Sequence, residues 1–463
     1  MSCLDPARLG ALLDSLEAGL LERQTAVRLA LLAGLTGEHV LLIGPPGTAK
    51  SELARRLHRA FEEARYFERL LTRFSTPEEL FGPLSLKAPE DDRYERLTDG
   101  FLPTAGIAFL DEVFKANSAI LNALLTLLNE REFDNGSGRE RTPLVSVVGA
   151  SNEVPDDEAL QAFFDRFLLR VPVLPVTDAA FSALLRLQPS APAAAQPLTA
   201  AERTAVAEAA AQVQLGSEAE AACHALRAWL HAQELPMSDR RWRQWIGLLR
   251  VAAATEGRAK IDALDLWTAP YVASAFPQDV PRLAAWFEQD LIGAVPQDAP
   301  WLTRAVEAFE RQLEIEESAP DDPDAANAAG KLALARSISG SEQGEQLLRM
   351  VSGTLEEKLR RRYSPVHIQA RVGQVDEVLA QAREQHELAA RQEQALAQRL
   401  QGRLWLPPEV AQRLLGAHVH TRGVLAGLVE RLQRARDGYN GLPLDTQLET
   451  AAPARVVLEG AAA

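Results

Sequence analysis

The stretch that most constrains this chain is Gly44-Pro45-Pro46-Gly47-Thr48-Ala49-Lys50-Ser51. It follows His39-Val40-Leu41-Leu42-Ile43, an apolar run that reads as a buried strand. It precedes Glu52-Leu53-Ala54-Arg55-Arg56-Leu57, which reads as a helix. Strand, glycine-rich turn, Lys-Ser and helix are the parts of a phosphate cradle. Backbone N–H groups of such a turn and helix N-terminus point at the anion, and the helix dipole favours negative charge there. Gly47, Thr48, Ala49, Lys50, Ser51 and Glu52 then form the cofactor-binding stretch for ATP. Lys50 reaches the β- and γ-phosphates, and Ser51 ligates Mg²⁺. Ala49 stands where a second glycine is usual, an exchange that is acceptable if the backbone there is right-handed helical. A Gly/Pro turn that merely precedes a lysine looks the same over eight residues, so context must decide.

At 463 residues the chain has room for about three domains. A net charge of −15 argues against binding nucleic acid or anionic membranes over a broad surface. Two cysteines, Cys3 and Cys223, supply neither a disulfide framework nor a metal cluster, which suits a reducing compartment. Asp5, Arg8, Asp14 and Glu17 interrupt the apolar residues at the N-terminus, unlike a signal peptide. No apolar run has the length of an integral membrane segment, so a cytoplasmic location is expected.

Apolar residues at helical spacing from Leu9 to Leu35 predict one or two helices before the first strand. Phe67–Phe74, Ile107–Glu112, Leu144–Ala150 and Phe167–Val173 read as further strands. Asn117–Glu130 and Ala159–Asp165 read as helices, and Asn135-Gly136 marks a hairpin. This alternation predicts an α/β P-loop core, a parallel sheet flanked by helices, over residues 1–190. Thr199–Val213, Glu218–Gln233, Asp239–Ala254 and Asp262–Ser274 predict an all-α lid over 191–297. A helical C-terminal stalk follows over 298–445, with a mobile linker at about 318–350. Its long helices are Gln374–Arg403 and the stretch from Pro407-Pro408 to about Gly438, which should pair antiparallel with a third helix ending near Glu317. Val366–Val372 is an isolated candidate strand, and 446–463 reads as a disordered tail.

An apolar strand ending in Asp111-Glu112 has a specific use behind a phosphate loop. Asp111 would hold Mg²⁺ through water, and Glu112 would act as general base for the attacking water or orient it. Asn152 follows the strand Val145–Ala150, where it would hydrogen-bond the γ-phosphate or the water, or simply cap a turn. Arg166 closes a helix, where it would stabilise charge on a neighbouring subunit's nucleotide or form a local salt bridge. Arg240 opens a lid helix behind the Ser238-Asp239 cap. A cation in a first turn needs an anionic partner, and a bound phosphate would be one; Arg241 is the alternate. His418 and His420 fall on different sides of a helix and make a poor metal pair.

These residues resemble an AAA+ ATPase of the MoxR family, and within it the RavA group. The stretches that carry the likeness are GPPGTAKS (44–51), TRFSTPEELFGPLS (72–85), RYERLTDGFLP (93–103), FLDEVFKA (109–116), ASNEVP (150–155), DRFLLR (165–170) and SDRRW (238–242), in the family's order. The resemblance implies that Lys50 and Ser51 are Walker A and Asp111-Glu112 Walker B. It implies that Asn152 is sensor 1, Arg166 an arginine finger and Arg240 sensor 2. It places the stretch around Leu21, and with it Phe181, against the nucleotide base. It also implies a ring of six subunits and a von Willebrand factor A-type protein partner. The RavA group carries a β-rich insert that docks a lysine decarboxylase. Here the stretch Glu317–Ser364 is short, with little strand pattern, which argues against that partner. Three functions compete: an ATPase that remodels or matures a protein, a nucleotide-gated adaptor, and a DNA-acting motor that the acidic balance disfavours.

Overall fold

The computed structural model describes residues 4–85, 95–136, 138–155, 157–188, 195–319, 361–449 and 451–458. They fall into two compact units, Met1–Gly293 with Leu400–Gln412, and Ala294–Arg399 with Arg413–Ala463. No helix among the described residues is long and apolar enough to cross a membrane. The expected linker falls outside the described residues except at 318 and 319.

The strands of the first unit are β1 (Val40–Ile43), β2 (Tyr66–Leu70), β3 (Ile107–Asp111), β4 (Glu132–Asn135), β5 (Gly138–Arg141), β6 (Ser146–Ser151), β7 (Leu169–Pro172), β8 (Gln214–Leu215) and β9 (Lys260–Ile261). Five of them form a parallel sheet in the order β2-β3-β6-β1-β7. β1 lies between β6 and the edge strand β7, with Val40 opposite Val148 on one side and Leu169 on the other. Every residue of β1 and β6 is buried, as a parallel sheet covered on both faces requires. The helices are α1 (Pro6–Glu17), α2 (Gln24–Thr36), α3 (Lys50–Arg59), α4 (Pro77–Phe81), α5 (Ser118–Glu130), α6 (Glu158–Phe164) and α7 (Asp178–Leu185). The AAA+ α/β core expected from the sequence is thus present, with Asn117 capping α5 by accepting from the Ile120 N–H. The Asn135-Gly136 hairpin is also present, as antiparallel β4 and β5.

The lid is helical: α8 (Ala200–Gln212), α9 (Ser217–Ala232), α10 (Asp239–Thr255), α11 (Ala269–Ala273) and α12 (Asp279–Ala285). Three of the four expected helices stand. The fourth, Asp262–Ser274, is instead a 3₁₀ turn, Ala263–Thr268, running into the short α11. Asp262 and Asp265 form a capping box that winds the chain tightly there, and Pro270 supplies no N–H to continue it. Helices α7 and α12 escape sequence patterning, because α7 buries none of its residues and α12 is short. Phe67–Phe74 yields a strand only to Leu70, and Phe74 beyond it is 84% exposed.

The loop Leu400–Gln412 packs within the first unit. Trp405 is buried, and its indole N–H donates to Thr255 Oγ at 2.8 Å. Arg28 donates to the Leu404 and Leu406 carbonyls and to Glu17. Arg403 pairs with Asp262, and with Asp265 at 3.0 Å.

In the second unit, α13 (Pro300–Ser318), α14 (Pro365–Leu400) and α15 (Pro408–Asn440) share one core that includes Phe309, Val375, Leu379, Leu428 and Leu432. Asp376–Arg436 at 2.6 Å and Glu393–Arg422 at 2.7 Å set α14 antiparallel to α15. Glu310–Arg431 at 2.6 Å and His420–Asp298 at 3.1 Å set α13 parallel to α15. Two expectations are corrected here. Val366–Val372 is helical: Pro365 opens α14 and the Ser364 hydroxyl accepts from the His367 N–H, a start signal stronger than the β-branched run after it. Residues 451–458, within the expected disordered tail of 446–463, carry no regular secondary structure but are held in place. The Val456 N–H donates to Gln374 Oε1 at 3.2 Å, Arg371 donates to the Ala454 carbonyl at 2.8 Å, and Val456 and Leu458 pack on the core.

Trp405→Ala removes a fully buried indole and leaves Thr255 without its donor. We expect a loss of about 3–5 kcal/mol in the unfolding of the first unit, measured by urea denaturation.

Candidate nucleotide site

Three adjacent strands deliver the site. β1 runs into the P-loop, β3 into Asp111 and Glu112, and β6 into Ser151 and Asn152. Their C-terminal ends enclose a cavity of about 350 Å³ lined by Pro46 to Ser51, Phe109, Asp111, Glu112 and Asn152. The loop is tightly tied. The Lys50 ammonium donates to the Gly44 carbonyl at 2.7 Å and to the Pro45 carbonyl at 2.8 Å. The Thr48 hydroxyl donates to the Pro45 carbonyl at 3.0 Å. Burial lowers the Lys50 pKa, against the pull of Asp111 and Glu112. Gly44 passes so close to β7 that a Cβ on it would stand 2.1 Å from the Val173 carbonyl oxygen.

Ala49 overturns the condition set for it. Its φ is +67°, in the left-handed region, and it precedes the first residue of α3. The turn demands that conformation whichever residue fills it, and alanine accepts a strain of about 1–2 kcal/mol there. Glu112 is left-handed too, at φ +52°. Its N–H donates to Asp111 Oδ1 at 3.0 Å, Asn152 Nδ2 donates to its Oε1 at 2.5 Å, and Lys115 pairs with its Oε2 at 3.2 Å. The carboxylate is thereby aimed along the cavity wall beside Asn152.

Among the described residues no group of three or more acids, histidines or cysteines could hold a metal by itself. Ser51 and Asp111 do line one cavity, and one hydroxyl with one carboxylate suits Mg²⁺, which keeps water and substrate phosphates in its remaining positions.

The other expected residues lie elsewhere. Glu52 points away to Arg56, at 2.8 Å. Leu21 is half-buried in the turn before α2 and does not line the cavity, and Phe181 is 51% exposed. Next to Leu21, Arg23 does reach the loop. It is buried and donates to the Thr48 carbonyl at 3.1 Å and the Leu174 carbonyl at 2.6 Å. Sequence reasoning missed it, since nothing marks one arginine before a helix as buried. Arg166 lies past α6, outside the cavity, with its Nε buried and unpartnered among the described residues. Arg241 is structural: it donates to the carbonyls of Val272, Phe167 and Leu168 and pairs with Asp165 at 3.0 Å. Arg240 donates to Asn129 Oδ1 at 3.0 Å and shares a different cavity with Glu38. Glu38 precedes β1 and the P-loop follows it, so strand β1 lies between that cavity's Glu38 wall and this chain's own phosphate loop. Arg240, expected to meet a bound phosphate, thus does not line the P-loop cavity.

Comparison with known proteins agrees with this geometry. Residues 7–211 match the family described as "MoxR domain in the MoxR-vWA-beta-propeller ternary systems", and residues 220–287 match an AAA lid domain. The first unit thus has an AAA+ core and lid and is similar to the MoxR domain over residues 7–211. Two uncharacterized proteins of Methanocaldococcus jannaschii are each 54% identical to the chain over 158 residues, 34% of its length. A structural protein of Acidianus two-tailed virus is 32% identical over 173 residues, 35% of the chain and 27% of that protein. The chain spans less than half the length of these relatives, 42% and 41% of the two archaeal proteins.

Two outcomes follow for the AAA+ core. Ala49→Gly should raise stability by about 0.5–1 kcal/mol, because relief of left-handed strain exceeds glycine's entropic cost. A lower melting temperature in the variant would contradict it. Burial pushes the Glu38 carboxyl from its ordinary 4.5 up to about 7. Between those values the unfolded chain has released a proton that the folded chain keeps, so stability falls as pH rises, by about 3 kcal/mol in all. Glu38→Gln should flatten that slope in denaturation curves taken from pH 4.5 to 7.5.

Proposed function

We propose that the chain is a MoxR-type ATPase, converting ATP and water to ADP and phosphate, and that it works as a ring of six on a protein partner. The observation that carries this is the convergence of Lys50, Ser51, Asp111, Glu112 and Asn152 on one cavity at the ends of three neighbouring strands. In this reading Lys50 and the loop N–H groups hold the phosphates. Glu112, oriented by Asn152 and Lys115, accepts the proton of the attacking water as the water's oxygen bonds to the γ-phosphorus and the bond to the β-phosphate oxygen breaks. Mg²⁺, held by Ser51 and Asp111, would neutralise charge on the phosphates. Arg23 positions Thr48.

A ring accounts for two arginines that the site of one chain leaves unused. Arg166 and Arg240 both lie outside the cavity, and each would serve the nucleotide of a neighbouring copy. The matched family's description names a vWA component, which supports a von Willebrand factor A-type partner, with remodelling or maturation of that partner as the output. The RavA likeness rests on the motifs alone.

Glu112→Gln should still bind ATP and lose turnover by about a hundredfold or more. Mixing it with Arg166→Ala subunits should restore part of the turnover, because each mixed interface pairs an intact glutamate with an intact arginine. Particle mass followed against ATP concentration should rise toward six protomers together with turnover per protomer. Full turnover by a monomer would instead favour a nucleotide-gated adaptor.

A further inference from the structure

The first unit holds a second cavity of about 690 Å³, bounded by the C-terminal end of α2, by α8 and by α10. One face of α10 supplies most of its polar lining, with Arg240, Arg243, Gly247 and Arg250 at three- and four-residue spacing. Ala207, Ala210 and Ala211 of α8 also line it. The room exists because these side chains stop at Cβ or short of it. A Cβ built on Gly247 meets nothing within 4 Å. Glycine inside a helix of 17 residues weakens that helix, and here it keeps the space between Arg243 and Arg250 open.

Two of the arginines are unused by the fold. Arg240 is held by Asn129. Among the described residues Arg243 and Arg250 make no ion pair or hydrogen bond, and the Nε of Arg250 is buried without a partner. Buried donors in folded proteins are almost always paired, so a missing acceptor points to a ligand. Glu38 and Asp239 also line the cavity, but Glu38 already accepts from Gln244 at 2.9 Å, and Asp239 sits in the first turn of α10, where the helix dipole favours it. Three guanidinium groups against two carboxyls make a local positive excess on a chain whose net charge is −15.

We infer that this cavity binds a phosphorylated small molecule, with its phosphate on Arg243 and Arg250 and its body over the apolar Leu35, Leu248 and Val251. Guanidinium forks bind phosphate oxygens two at a time, and the volume is that of a small-molecule site. The cavity lies by Glu38 at the start of β1, whereas the P-loop of the same chain lies at the strand's end, so within one chain the two sites are separate, and the ligand's phosphate is assigned to Arg243 and Arg250 rather than to Arg240.

The test uses pyrophosphate, titrated calorimetrically into the full chain carrying Lys50→Ala, which disables the P-loop. The expected result is one site per chain, weakened about tenfold or more by Arg243→Gln combined with Arg250→Gln. Gly247→Leu, which favours helix while filling the cavity, should abolish the binding, with circular dichroism confirming the fold. Absence of binding in the Lys50→Ala chain overturns the inference. So does binding that survives the double arginine change. Neither result bears on ATP turnover at the P-loop.

Discussion

Parallel pairing of β1 with β6 and β7, and of β3 with β6, is the constraint on which the nucleotide site depends. Parallel strands point all their C-terminal ends the same way, so the loops that leave them meet at one edge. The register does the rest. Ile43 stands opposite Ser151, and Leu110 opposite Gly149, which brings the P-loop, Asp111 and Asn152 to one level. A one-residue slip of β3 would turn Asp111 toward the opposite face of the sheet and take its carboxylate out of the cavity.

Strain at this edge is concentrated in two residues. Ala49 and Glu112 both have left-handed backbones and both line the cavity. Such conformations persist where the surroundings over-determine them. For Ala49 the determinants are the two carbonyl bonds of Lys50 on one side and the Arg23 bond to Thr48 on the other. For Glu112 they are the Asp111 carboxylate behind its N–H and the Asn152 amide on its side chain. The same bonds that impose the strain also fix the relative positions of the groups lining the cavity, so for the proposed reaction they would need little reorganisation.

Much of this was legible in the sequence, and the limits have physical causes. The strands at 40–43, 107–111 and 146–151 announce themselves as largely apolar runs, and the site residues follow because Asp111, Glu112 and Asn152 sit at or just past the ends of two of them and the P-loop motif follows the third. Local pattern could not show the conformation of Ala49, since loop backbone is set by hydrogen bonds made to Lys50 and Thr48 rather than by residue type. Nor could it place Arg240, whose surroundings depend on how α10 packs against α2 and α8. Arg23 and Arg241 carry no local sign of burial, because their partners are backbone carbonyls distant in sequence. In the second unit the antiparallel pair was readable from two long helices, whereas the seat of residues 451–458 on α14 was not, since it rests on two hydrogen bonds and two apolar side chains in a segment rich in alanine.

The first turn of α2 shows how closely the elements of the first unit are joined. Arg23, just before that turn, holds the P-loop through the Thr48 carbonyl. Thr25, within it, and Arg28, just beyond it, hold the segment Leu400–Gln412: Thr25 donates to Glu409 at 2.9 Å and Arg28 to the Leu404 carbonyl at 2.5 Å. A helical turn is among the stiffest links a chain can offer, because each residue is fixed by backbone bonds to the turn before it. The phosphate loop and the loop 400–412 are therefore neighbours through about one turn of helix, although more than 350 residues separate them in the chain. Apart from the Thr25–Glu409 bond, that link uses arginine side chains on backbone carbonyls, whose directionality fixes position more narrowly than apolar packing would.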